Sequence, residues 1–204
     1  MPSYNSSDTS AWGFDTRAIH AGQVLAPDTG ARTQPIFFTS SYVFNDTAHG
    51  ESLFALQEEG FTYSRLASPT SLALQERLAD LEGGKAAVAF ASGMAAETAA
   101  ILNVARAGDH IVASPRLYGG TETLLQSALL DFGIETTFIA NPDDPASWQS
   151  AARPNTKAFY AETFGNPFAA VLDIPAVAEL AHATRAPLIV DNTIATAALV
   201  RPLE

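Results

Sequence analysis

The spacing of apolar and polar positions changes character near residue 68. Before it, residues 1–60 are rich in Ser, Thr, Gly and short polar turns, with scattered aromatics at Trp12, Phe14, Phe37, Phe38, Tyr42 and Phe44 and little sustained periodicity. This stretch reads as an arm that needs a partner surface. From Ser68 the pattern becomes regular. Ser68-Pro69 reads as an N-cap followed by proline at the first helical position, Leu74, Leu78 and Leu81 recur at i, i+4 and i+7, and Gly83-Gly84 close an amphipathic helix.

One plan then repeats. The run AAVAFA (86–91) predicts a short apolar strand, and SGMAAETAAILNVARAG a helix ending near Gly108. HIVAS (110–114) predicts the next strand, and TETLLQSALLDFG a helix stopped at Gly133. IETTFIA (134–140), KAFYAE (157–162) and PLIVD (187–191) predict further strands, with helical stretches at about 145–152 and 173–186 between them. Apolar strands alternating with helices of this length imply an α/β fold, a mainly parallel sheet covered on both faces.

Composition narrows the function. The chain has 204 residues, 47% of them apolar, enough for one sizeable core. A formal net charge of −11 speaks against nucleic acid and anionic membranes, both of which need a basic face. With no cysteine there is no disulfide framework, thiolate nucleophile or Cys-based metal site, and His20, His49, His110 and His182 show no metal-ligand spacing. No apolar run approaches the roughly 20 residues of a membrane span. The opening MPSYNSSDTSAWGF lacks the charged and apolar regions of a signal peptide, so a soluble, cytoplasmic protein is expected.

In a parallel sheet the ligand sits outside the carboxyl ends of the strands. Those ends present Ser92-Gly93-Met94, then Ser114 with Tyr118, then Glu162 with Asn166, and finally Asp191. Ser92-Gly93-Met94 stands where a strand gives way to a helix, and reads either as an ordinary capped turn or as a phosphate seat at a helix N-terminus. It is neither a GxGxxG fingerprint nor a Walker loop, which argues against a nucleotide-binding domain. Asp191, after the apolar Leu188-Ile189-Val190, needs a donor or cation, whether a structural ion pair or the protonated ring nitrogen of a cofactor. Tyr118 is a packing residue or a stacking platform. In FTYSR, Tyr63 and Arg65 stand two apart in an extended stretch, and read as a half-buried Tyr beside a solvated Arg or as a phosphate clamp.

The ordered set "YSRLASPT", "FASGMAA", "LYGGT", "ETFGNP" and "VDNT" resembles the Cys/Met-metabolism enzymes that depend on pyridoxal 5'-phosphate. The resemblance covers nearly the whole chain. The segments "IHAGQ", "DTGARTQPIFFTSSYVF" and "LFALQEEGFTYSR" look most like the O-acetylhomoserine sulfhydrylases of that family. The resemblance implies the large domain of a fold-type I pyridoxal-phosphate transferase, aspartate aminotransferase-like, incomplete at its C-terminus. Residues 1–60 would be an arm contacting a neighbouring subunit, and 61–204 the N-terminal part of the cofactor domain.

The resemblance also implies roles. Gly93 and Met94 would offer backbone N–H groups to the cofactor phosphate, with Ser92 shaping the turn. Tyr63 and Arg65 would reach the phosphate bound in a neighbouring subunit, making a homodimer the minimal unit and a tetramer the expected assembly. Tyr118 would stack on the ring and assist proton transfer, Asp191 would pair with the ring nitrogen, and Glu162, Asn166 and Thr193 would line the ring's edge and support Asp191. The implied reaction is γ-replacement on O-acetyl-L-homoserine by sulfide or a thiol, giving homocysteine or methionine plus acetate. Cystathionine γ-synthase, cystathionine lyase and methionine γ-lyase are sister possibilities.

Two departures stand out. Ser68-Pro69-Thr70 replaces the family's Asn-Pro-Thr, and Ser caps a helix as Asn does. The family also needs a lysine for its Schiff base, in a Ser-x-Thr-Lys segment beyond the VDNT strand. The only lysines here, Lys85 and Lys157, are expected at the amino edge of the sheet, opposite the crevice. The reading that follows is the N-terminal portion of a longer enzyme, inactive alone, or else a non-catalytic remnant or partner of an intact relative.

Overall fold

The computed structural model describes residues 8–24, 26 and 28–204. They fall into two compact units, one of residues up to 89 together with 203 and 204, the other of residues 90–202.

The first unit carries α1 (Phe14–His20), α2 (Thr47–Phe54) and α3 (Pro69–Glu82). The Ser68 hydroxyl caps α3 by accepting from the Ser71 N–H at 3.2 Å, and Gly83 ends the helix in the left-handed region at φ 68°, as its sequence predicts. Arg17 on α1 donates to Asp80 at 2.8 Å and Arg77 donates to the Ala21 carbonyl at 2.8 Å, which dock α1 on α3. The extended pairing of residues 40–42 with 62–64 places Tyr63 opposite Ser41. The extended stretch expected through Arg65 stops at Tyr63. The N–H groups of Leu66 and Ala67 both close on the Tyr63 carbonyl, so Arg65 lies in a turn, with its guanidinium carbon 5.3 Å from the Tyr63 ring centroid.

The second unit is a parallel sheet between helices. Strands β1 (His110–Ala113), β2 (Glu135–Phe138), β3 (Thr156–Glu162) and β6 (Leu188–Asp191) lie in the order β2-β1-β3-β6, every pair parallel. A short antiparallel hairpin, β4 (Phe164–Gly165) with β5 (Ala170–Val171), follows β3. Both faces are covered because alternate strand residues are apolar on both sides. Ile111, Ala113, Ala158 and Tyr160 pack with Ile101 of α4 (Gly93–Val104), and with Leu124, Leu125 and Leu129 of the run after Tyr118. That run comprises α5 (Gly119–Thr123), a π-helical turn (Leu124–Ala128) and α6 (Leu129–Asp131). On the other face Val112, Phe159 and Ala161 pack with Trp148 of α7 (Pro145–Ala151) and with Val177 and Ala181 of α8 (Ile174–Ala183). A single helical turn, α9 (Thr196–Leu199), follows β6.

Two expectations are corrected. The run 86–91 is not a strand: a strand exists through its ladder, and no described residue pairs with it. Val88 is 73% exposed, and Lys85 therefore does not stand at a strand's start. Helix α4 ends at Val104 rather than near Gly108, because the Asp109 carboxylate accepts from the Arg106 N–H at 2.8 Å and Ala105 takes an extended conformation.

Candidate functional site

The sheet order reverses between β1 and β3, and α4 begins nearby, so the carboxyl ends of these strands open on a shared crevice. A cavity of about 300 Å³ occupies it, lined by Ser92, Gly93, Met94, Glu97, Tyr118, Glu162, Phe164, Asn166, Asp191, Thr193 and Ile194. Eight of the ten residues expected from the sequence meet here.

The floor at α4 is built by capping. The Ser92 hydroxyl accepts from the Ala95 N–H at 3.2 Å, and the Ala96 N–H takes the Ser92 carbonyl at 3.1 Å. The N–H groups of Gly93 and Met94 are left without a partner among the described residues. A Cβ at Gly93 would meet no protein atom within 4 Å, so the protein's own packing does not demand this glycine. Unpaired N–H groups at the start of a 12-residue helix suit an anion.

Asp191 is held by the loop after β6. Thr163 donates its hydroxyl to the Asn192 side-chain oxygen at 2.7 Å, and the Asn192 amide donates to the Val200 carbonyl at 2.8 Å, so Asn192 pins the loop. Thr193 then turns back on Asp191, donating to its Oδ1 from the backbone at 2.9 Å and from the hydroxyl at 2.5 Å. Both bonds fall on one oxygen. The other, Oδ2, accepts none among the described residues, in a half-buried carboxylate beside a cavity.

Tyr118 is placed by its neighbours on both sides. Its backbone N–H donates to Glu162 at the end of β3. A Cβ at Gly120 would stand 2.5 Å from the Tyr118 ring and 3.1 Å from the Met94 sulfur, so the second glycine of LYGG makes room for the ring. Tyr118 is 54% exposed and turned to the cavity.

The cavity is acidic. Burial pushes the Glu162 carboxyl above the usual carboxylate range, the Tyr118 N–H opposes the rise, and Asp191 adds to it. Burial likewise raises Glu97 against the hydrogen bond it accepts from the Thr121 hydroxyl at 2.8 Å, with Asp191 again contributing. Desolvation, then the charges of Glu97, Asp191 and Glu162, push the Tyr160 hydroxyl far up, so it stays protonated. No basic side chain is among the described residues lining the cavity. Tyr63 and Arg65 belong to the other unit, and Lys157 lies near the amino end of β3, 4.0 Å from Asp109.

Glu97, Phe164 and Ile194 complete the lining without having been expected from the sequence. Glu97 was within reach: it stands four residues after Gly93, on the same side of the helix. Phe164 and Ile194 carry no such signal.

Residues 15–204 match the family of Cys/Met metabolism PLP-dependent enzymes. The chain belongs to that family. Among its relatives, the O-acetyl-L-homoserine sulfhydrylase of Corynebacterium glutamicum is 61% identical over 204 residues, all of this chain and 47% of that protein. The O-acetyl-L-homoserine sulfhydrylase of Leptospira meyeri is 47% identical over 190 residues, 93% of this chain and 43% of that protein. The chain spans about half the length of the curated relatives it matches.

Solved structures agree on the fold. A Campylobacter jejuni protein described as an O-acetylhomoserine (thiol)-lyase, carrying N'-pyridoxyl-lysine-5'-monophosphate, superposes with a TM-score of 0.90 at 37% identity, over 94% of this chain and 47% of that one. Cystathionine gamma-lyase of Lactobacillus plantarum, complexed with L-serine, gives 0.84 at 36% identity, over 94% and 47%. This is the fold-type I architecture of pyridoxal-phosphate enzymes.

Proposed function

We propose that the cavity of the second unit holds pyridoxal 5'-phosphate. The whole protein then performs γ-replacement on O-acetyl-L-homoserine, with sulfide or a thiol displacing acetate to give homocysteine or methionine. The observation that carries the reading is a pair of unsatisfied groups lining one cavity, the Gly93 and Met94 N–H groups and the Asp191 Oδ2. The first suit a phosphate and the second a protonated ring nitrogen. When bound, the cofactor supplies an electron sink for carbanions on the substrate.

The chain's own residues take the remaining roles. Ser92 holds the turn that presents the two amides. Thr193 occupies Oδ1 of Asp191, which leaves Oδ2 as the oxygen that would accept from the ring nitrogen. Tyr118 would offer its ring as a stacking surface and its hydroxyl for a proton at the substrate, while Glu162 and Asn166 would hold the edge of the bound group. Glu162, tied to the Tyr118 backbone, also fixes the angle at which that ring enters. In the first unit, Tyr63 and Arg65 reach the phosphate of a neighbouring subunit. The exposed Ile36, Phe38, Val43 and Leu56 support an arm, residues 1–60, that is covered in a homodimer or tetramer in the cytoplasm.

Neither lysine lines the cavity, so the 204 residues alone bind the cofactor without a covalent link and do not turn over substrate. A second reading, elimination instead of replacement, is favoured by the 42% identity to the L-methionine gamma-lyase of Treponema denticola over 202 residues. Fluorescence titration with pyridoxal 5'-phosphate tests the site: saturable binding is expected, weakened at least about tenfold by Asp191→Ala, which removes a charge-assisted bond. Binding indifferent to Asp191→Ala overturns the assignment. Offering the whole protein O-acetylhomoserine with sulfide, or L-methionine alone, separates the two reactions.

A further inference from the structure

Beside the main cavity lies a second space of about 240 Å³, bounded by α4 and β6 and lined among others by Glu97, Tyr160, Asp191 and Asn192. Glu97 and Asp191 line both spaces. The Glu97 carboxyl is anchored at Oε2 by the Thr121 hydroxyl, and Thr121 is fully buried at the start of α5. Tyr160, fully buried on β3, brings its hydroxyl to the same space, within interaction range of both Glu97 and Thr121.

The titratable groups facing this point are Glu97 from α4, Tyr118 ahead of α5, Tyr160 and Glu162 from β3, and Asp191 from β6; no basic side chain is among the described residues lining either space. Three carboxylates therefore share a half-buried region with no counter-charge of the protein's own among those residues. Such an arrangement is unfavourable until a positive group arrives.

We propose that Glu97 is a positioning residue: anchored by Thr121, it sets a second carboxylate beside Asp191 and so strengthens the hold of Asp191 on a protonated nitrogen of the bound heterocycle. This rests on the reading of the cavity given above. Glu97 need not touch the cofactor, because its charge acts on the proton shared between Asp191 and the ring. Glu162 contributes the same sign of charge but is committed to the Tyr118 backbone, whereas Glu97 is held by side-chain hydroxyls, that of Thr121 foremost.

The test uses the full chain and pyridoxal 5'-phosphate carrying 15N at the ring nitrogen, whose chemical shift reports protonation directly. Spectra are recorded from pH 6 to 10 for the unsubstituted chain, Glu97→Gln, Thr121→Val and Asp191→Asn. Expected is a protonated nitrogen in the unsubstituted chain that persists to higher pH than in Glu97→Gln. The difference is about one pH unit, a tenfold change in proton affinity, and Thr121→Val lies between. Glu97→Gln keeps an acceptor for Thr121, and its melting in the absence of cofactor confirms that it is folded.

If Glu97→Gln titrates like the unsubstituted chain while Asp191→Asn loses the protonated nitrogen, the role of Glu97 is overturned and the cofactor site stands. If the unsubstituted chain shows no bound, protonated nitrogen, both the site and the role of Glu97 fall.

Discussion

Gly120→Ala separates the placement of Tyr118 from the stability of the fold. The added Cβ would stand 2.5 Å from Tyr118 Cε1, 3.1 Å from Cδ1 of the same ring and 3.1 Å from the Met94 sulfur. Carbon atoms settle at about 3.5–4.0 Å, so the ring must retreat by roughly 1 Å. Tyr118 is half exposed, and its ring yields more easily than the backbone. A displaced rotamer costs about 1 kcal/mol. Replacing glycine by alanine within a helix returns about 1 kcal/mol, and Gly120 lies inside α5. Net stability is then close to unchanged.

Binding of the cofactor is affected instead. Aromatic stacking contributes about 0.5–1.5 kcal/mol, so the affinity for pyridoxal 5'-phosphate is expected to fall about two- to tenfold. Thermal melting and fluorescence titration read the two effects separately. In a Tyr118→Ala background the same substitution should change affinity no further, because the ring it displaces is gone. An unchanged affinity in the single variant would refute the role given to the ring. A melting temperature lowered by many degrees would show that the backbone, not Tyr118, gives way.

Trp148→Ala removes a fully buried indole that stacks on Phe159 at 6.1 Å and donates to the Pro142 carbonyl at 2.9 Å; a loss of about 3–5 kcal/mol is expected by urea unfolding, and under 1 kcal/mol would contradict the packing described. His110 is buried between the hydroxyls of Thr156 and Thr137, at 2.9 and 2.8 Å, and burial holds its pKa below 6.5. Its contribution to stability is therefore present above that value and lost as pH falls through it toward the folded pKa, because the unfolded chain takes up the proton first. Melting between pH 7.5 and 5 should show this loss in the unsubstituted chain and a flatter profile in His110→Gln; equal slopes would contradict it. After treatment with one equivalent of pyridoxal 5'-phosphate and borohydride, any labelling of Lys85 or Lys157 should be the same in the unsubstituted chain and in Asp191→Ala, whereas an adduct on either lysine that Asp191→Ala abolishes would overturn the reading that neither reaches the cavity.

Much of the fold was legible because its signals are local. Helix α3 announces itself by Ser68, Pro69 and Gly83, and α7 and α8 each begin with an aspartate cap and a proline within the next two residues. The four parallel strands follow from apolar runs that end at a polar residue or a turn. What the sequence hides depends on distant partners. The run AAVAFA has every local mark of a strand but no ladder among the described residues, and propensity cannot supply one. The π-helical turn at Leu124–Ala128 and the small hairpin after β3 likewise have no distinctive composition.

The site divides in the same way. Glu162 and Asp191 could be found because strand ends in a parallel sheet point at one crevice, and Ser92, Gly93 and Met94 because a serine cap opens a helix there. Which oxygen of Asp191 is left free could not, since that depends on Thr193 turning back and on Thr163 and Asn192 holding the loop. Glu97 was overlooked because a glutamate inside an alanine-rich helix reads as a solvated face. Its bond to Thr121, 24 residues away, is visible only in three dimensions.

The most direct test of the cofactor assignment is a crystal structure of the chain soaked with pyridoxal 5'-phosphate. The account predicts the phosphate within about 3 Å of the Gly93 and Met94 amides, with the ring nitrogen at hydrogen-bond distance from Asp191 Oδ2 and the ring face against Tyr118. A ring nitrogen turned away from Asp191, or cofactor bound outside this cavity, would contradict it.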